Sequence, residues 1–112
     1  MATSTAASPD ARVIQNAHGL EVVPRNVFKH ARDTFTLANS SRVTVHVSFP
    51  VLPTNPPSGD IPPGGREYFE ILDTAPGPYD YWVEVALTDD RSLAKFTLRA
   101  SGGSDPRIII DA

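Results

Sequence analysis

The residues able to do chemistry are few. The chain has three histidines and no cysteine. The absence of cysteine excludes disulfides, thiolate metal sites, iron–sulfur clusters and cysteine nucleophiles. His18, His30 and His46 show no His-x-x-x-His spacing. A metal site would have to join His46 and His30 to a carboxylate such as Asp33 or Glu84. The simpler reading makes each histidine a polar surface residue on a loop or an outward strand face. Hydrolysis by paired carboxylates would draw on Asp73, Asp80, Glu84, Asp89 and Asp90. Asp80 and Glu84 share one face if their segment is a strand, with Trp82 between them as an apolar wall that would raise a carboxyl pKa. A solvated acidic face that keeps a strand from mispairing explains the same residues more simply. There is no Gly-x-Ser-x-Gly elbow, phosphate loop or dinucleotide fingerprint. Ser101-Gly-Gly-Ser104 leads into a strand and so lacks the helix N-terminus that phosphate binding uses. The chain is therefore not expected to be an enzyme or to carry a cofactor.

Residues suited to binding stand out more. Trp82 is the only tryptophan in the sequence, and its alternation with Tyr81 and Val83 turns it outward. Together with Tyr68, and with Val51, Leu52 and Pro53, it is expected to form an apolar contact patch for a protein partner or a second copy of the chain. Pro50, Pro53 and Pro56 are spaced as Pro-x-x-Pro-x-x-Pro, the pattern that proline-reading domains bind. Inside a compact domain, a stiffened crossover loop is the simpler account.

These side chains need a scaffold, and the sequence predicts one made of strands. Arg42–Phe49 gives the clearest alternation: Val43, Val45, Val47 and Phe49 face one way, Arg42, Thr44, His46 and Ser48 the other. Tyr79–Leu87 repeats the pattern, with Asp80, Trp82 and Glu84 outward. Further strands are expected at Arg12–Gln15, Leu20–Val23, Thr34–Ala38, Arg66–Leu72, Leu93–Ala100 and Arg107–Asp111, with turns at Asn16–Gly19, Asn39–Ser41, Ala75–Pro78 and Asp89–Arg91. Six of the eleven prolines lie between Pro50 and Pro63, which predicts a long ordered loop over Pro50–Gly65. The apolar run Ile108–Ile110 must pair within the domain or with another subunit to avoid becoming an aggregation edge. No amphipathic helix and no internal repeat are legible.

Composition bounds the rest. With 112 residues the chain makes one domain, burying about two-thirds of its extended surface. Residues 1–11 read as a flexible tail and 12–112 as a single β-sandwich domain. The net charge of −3 leaves no basic field for nucleic acid, and no apolar run is long enough for a transmembrane segment. The first residues lack the charged start and apolar stretch of a signal peptide. Either a cytoplasmic chain or the mature form of an exported one fits, so the compartment stays open.

In order, the segments resemble the cupredoxin-like family. Leu20-Glu-Val-Val-Pro24 and Asp33-Thr-Phe-Thr-Leu-Ala-Asn39 look like its early strands, and Ile61-Pro-Pro-Gly-Gly-Arg66 before Tyr68-Phe69 like its later turn. Pro76-Gly77-Pro78-Tyr79-Asp80-Tyr81 is similar to the "G-x-Y-x-Y" lead into the copper loop. The resemblance spans Leu20 to Leu87 and implies an all-β, Greek-key β-sandwich of about 7–8 strands. It also implies a copper-ligating cysteine where this chain has Val83, followed by a histidine. Here no cysteine exists, and neither His nor Met occurs after Val83. A blue-copper site needs a thiolate, two imidazoles and a weak axial ligand. The expectation is a copper-free, non-catalytic binding or assembly module. The alternative is a small metal-binding or redox-accessory protein with histidine and carboxylate ligands.

Overall fold

The computed structural model describes residues 8–16, 19–86 and 106–111. His18, the turn at 89–91, the strand expected at 93–100 and the glycine-containing connection at 101–104 lie outside the described residues. The described chain is all strand and loop. Its strands are β1 (Ala11–Asn16), β2 (Gly19–Val23), β3 (Asn26–Lys29), β4 (Thr34–Asn39), β5 (Val45–Ser48), β6 (Thr54–Asn55), β7 (Ser58–Ile61), β8 (Arg66–Ile71), β9 (Gly77–Asp80), β10 (Trp82–Val85) and β11 (Arg107–Ile110). No helix long and apolar enough to cross a membrane occurs among these residues.

Three sheets enclose one core. A five-stranded sheet runs β2-β1-β4-β8-β6, and two three-stranded sheets run β10-β5-β7 and β3-β11-β9. Most neighbours are antiparallel, while β1 pairs with β4 and β11 with β3 in parallel. Parallel neighbours cannot be joined by a tight hairpin, so these two pairs tie together distant parts of the chain. Val13, Phe35, Leu37, Phe69 and Ile71 face inward from the large sheet, Val45, Val47, Ile61 and Val83 from the second, and Val27, Ile108 and Ile110 from the third, in a single cluster. At its centre the rings of Phe35, Phe49, Phe69 and Tyr81 pack with centroids 4.8–6.5 Å apart, in the edge-on and tilted arrangements that ring quadrupoles favour.

The strand count exceeds the expected 7–8 because two segments divide and one strand gave little signal. Pro50–Gly65 is not one continuous loop but carries two short strands. Thr54–Asn55 adds an edge to β8, and Ser58–Ile61 pairs with β5 along its whole length. The prolines stand between these short strands, where no ladder donor is required. The described part of the expected strand Tyr79–Leu87 forms two strands in different sheets. β9 pairs with β11 and β10 with β5, and the chain changes sheet at Tyr81, whose N–H donates to the Pro106 carbonyl at 3.0 Å. The short strand β3 has a single buried apolar position, Val27, too little for a period to show. At the N-terminus β1 begins at Ala11, which is buried, one residue inside the tail expected over 1–11. Asp10 is already engaged, accepting from the Thr36 N–H at 2.8 Å and pairing with Lys29 at 3.1 Å.

Asn39 holds the β4–β5 connection. It is buried, donates to the carbonyls of Val43 (2.7 Å) and Ile61 (2.8 Å), and accepts from the Ser41 N–H (2.9 Å) and hydroxyl (2.6 Å). Its backbone exchanges hydrogen bonds with the Pro62–Gly65 turn. That turn needs Gly64 at φ 78°, a left-handed conformation that costs other residues energy.

Candidate functional groove

The sheet change at Tyr81 opens a concavity on the surface. Tyr81 and Val83 point into the core and are fully buried. By strict alternation their neighbours Asp80 and Trp82 point out, one on each side of the fork. Trp82 sits opposite Ser48, so the chain leaving β5 brings Pro50 and Val51 alongside it. Pro50, Val51, Pro78, Tyr79, Asp80, Trp82 and Arg107 line a cavity of about 540 Å³, within the range of ligand sites. Val51 is 71% exposed.

Polar groups of this groove already have partners within the fold. Arg107 lies opposite Asp80 across the β9–β11 ladder, with Nε 3.2 Å from Oδ1 and both side chains about half exposed. The Tyr79 hydroxyl donates to the Ala75 carbonyl at 2.6 Å and lies 2.9 Å from the Thr74 hydroxyl, which pins the ring. The walls are thus aromatic and proline surfaces held in place, and the charge is balanced locally.

A second hollow, of about 280 Å³, is lined by His46, Asp60, Glu84, Val85 and Ala86. Register alone builds it. His46 on the central strand β5 lies opposite Asp60 of β7 and Glu84 of β10, and its Nδ1 is 2.7 Å from Asp60 Oδ1.

The expected site residues divide on this geometry. Trp82 and Val51 come together in the groove. Leu52 does not belong to a contact patch: it is 2% exposed and part of the core, because the chain entering the crossover alternates Val51 out and Leu52 in. Pro53 is half-buried, its carbonyl accepting from the Leu72 N–H at 2.9 Å, and is not among the groove residues. Tyr68 is exposed but stands on β8 in the five-stranded sheet, away from that lining. The structure does not unite His46 with His30. His30 closes the turn after β3, where its N–H donates to Asp33 Oδ2 at 2.9 Å. No group of three or more His, Asp or Glu placed to hold a metal occurs among the described residues. Asp80 and Glu84 fall in separate sheets, Asp80 beside Arg107, so the paired-carboxylate geometry is not formed. Asp60, Arg107 and Pro78 line these hollows, and the sequence did not single them out for a site. Arg107 was hidden by its distance in sequence from Asp80.

The donor set for a blue-copper centre does not fit. There is no thiolate in the chain, and Val83, at the position the resemblance assigns to cysteine, is a fully buried core residue opposite Val47.

No protein-family model matches the sequence, and no curated protein is similar enough to count as a relative. Among solved structures, a novel purple cupredoxin from Nitrosopumilus maritimus superposes with a TM-score of 0.53 at 16% identity, covering 91% of this chain and all of that one. At that identity the likeness concerns the fold, and it agrees with the strand arrangement: this chain folds as an all-β, cupredoxin-like sandwich.

Proposed function

We propose that this chain is a copper-free, non-catalytic binding module that contacts a protein partner through the groove between the Pro50–Val51 corner and Trp82. The observation that carries the reading is the groove itself. It is a concavity walled by tryptophan, tyrosine, two prolines and an exposed valine, on a domain whose sequence offers no thiolate. Large rigid side chains such as Trp and Tyr bury area at little entropic cost and dominate interface energetics. Catalysis lacks a comparable basis, since Asp80 and Glu84 are split between sheets and Asp80 lies beside a guanidinium. The metal-binding alternative rests on His46 beside Asp60, without His30.

A photo-crosslinking amino acid placed at Val51, expressed in the cells that make this protein, tests the reading. A discrete protein adduct is expected, lost on Trp82→Ala and retained on Tyr68→Ala. An adduct indifferent to Trp82, or none, overturns the groove as the contact surface. Titration with copper(I) and copper(II) completes the test: a saturable, His46-dependent copper complex would reverse the order of the two readings.

A further inference from the structure

We infer that the groove accepts an extended, proline-rich segment in the left-handed polyproline conformation, an inference that rests on the binding reading above and names the chemistry of its partner. Four features of the surface converge on that occupant.

The first is charge. Asp80 and Arg107 neutralise each other at 3.2 Å, so the groove favours an uncharged occupant over an acidic or basic one. The second is hydrogen bonding. The Tyr79 hydroxyl is held by Ala75 and Thr74 and Asp80 by Arg107, so the groups that a sugar would recruit already have partners. The third is the edge that borders the groove. β9 is the outer strand of β3-β11-β9 among the described residues, and Pro78 lies in its middle. Proline on an edge strand turns its nitrogen to the open side and leaves that edge without a continuous row of donors. A partner strand adding by ladder hydrogen bonds meets a gap there. A ligand that itself lacks backbone N–H groups leaves no donor unpaired there and can keep its carbonyls in water, and polyproline segments dock in aromatic-lined grooves by shape.

The fourth is continuity of apolar surface. Cross-strand register puts Pro78, Ile109 and Phe28 in one row over the outer face of the third sheet. Their flanking residues Val27, Ile108 and Ile110 point inward and are buried. Phe28 is 64% exposed. The row crosses two strand spacings, about 10 Å, and continues the groove wall at Pro78. A polyproline segment rising about 3.1 Å per residue spans it with three or four residues beyond those seated beside Trp82.

Trp82 is the sole tryptophan, so intrinsic fluorescence reads groove occupancy directly. The probe is decaproline, set against a Gly-Ser peptide of equal length and against cellohexaose and maltohexaose, at concentrations to about 5 mM to reach weak affinities. Saturable change of Trp82 emission with decaproline alone is expected. Val51→Ser should weaken binding about tenfold and Phe28→Ser a few-fold, while Tyr68→Ser leaves it unchanged. Val51, Phe28 and Tyr68 are all exposed, so these variants keep the core. No saturable change, an equal response to the Gly-Ser peptide, a response to a saccharide in place of decaproline, or indifference to Val51→Ser each overturns the inference. Its failure is separable from that of the binding reading: a Trp82-dependent crosslink at Val51 without decaproline binding refutes the ligand class alone, whereas decaproline binding without a crosslink refutes the protein contact in cells.

Discussion

The two hollows that involve the β10-β5-β7 sheet are made by different means. The one around His46 follows from register: three neighbouring strands place His46, Asp60 and Glu84 in one row, and the hollow carries ionisable groups because those outward positions do. The groove around Trp82 follows from a change of sheet. Asp80 and Trp82 are two residues apart yet belong to different sheets, and the opening between them is filled in by Pro50–Val51 and Arg107, distant in sequence. A row of side chains on a continuous sheet makes a hollow lined from neighbouring strands. A fork makes one with walls from several segments.

That difference predicts how each region responds to damage. The largest effect should come from Tyr81, on which the fork turns. It is fully buried among Phe35 and Phe49, so Tyr81→Ala should cost about 3–5 kcal/mol and lower the denaturant midpoint sharply. Its hydroxyl has no hydrogen-bond partner among the described residues, and burial, with the nearby Asp10 carboxylate, pushes the phenol pKa well above its ordinary value. Removing that hydroxyl in Tyr81→Phe should therefore leave stability within about 1 kcal/mol of the parent or raise it. Urea titrations of the two variants separate the ring from the hydroxyl, and a large loss in Tyr81→Phe would show that the hydroxyl holds the fork.

A smaller effect is expected at the register-built hollow. A double-mutant cycle with His46→Ala and Asp60→Asn should give a coupling of about 0.2–1 kcal/mol, since both groups are substantially exposed and exchange with water. Neither substitution should alter binding at Trp82. Coupling above that range would mean that the pair is shielded from water, and any change at the groove would mean the two hollows are one unit.

The smallest effect should come from Arg32→Ala, remote from the residues lining either hollow. Arg32 grips Asp73 with two hydrogen bonds at 2.9 and 3.1 Å, and the guanidinium holds the Asp73 carboxyl below its ordinary pKa. A depressed carboxylate pKa stabilises the fold at pH above the unfolded value, and that contribution disappears as pH falls through the folded value. Thermal midpoints of parent and variant should thus differ slightly at neutral pH and converge in strong acid. A gap that widens on acidification has the wrong sign and would refute the assignment.

Much of this was legible in the sequence. Val43, Val45, Val47 and Phe49 alternate with polar residues, and the structure turns that row inward, with Val43 only partly buried. Trp82 was readable as outward-facing because it alternates with Tyr81 and Val83, whereas Val51 was grouped with it only as an apolar residue of the proline-rich stretch. Leu52 was misread on the same ground: inside a proline-rich stretch, apolar residues look like loop decoration, although this one is a core side chain. Tyr68 was read as exposed and is, but exposure carries no information about which face a residue shares with another. The break at Tyr81 was invisible, because a strand that changes sheets keeps the same period of two on both sides of the change.

The sequence by itself determined the all-β class, the inward and outward sides of its strands, and a chemistry without thiolates, since these depend on residue type and short-range alternation. Tertiary structure alone decided which outward residues meet. Arg107 reaches Asp80, and Pro50–Val51 reaches Trp82, only because β11 pairs with β9 and β5 with β10. Those pairings depend on the packing of the whole core, and no local spacing encodes them.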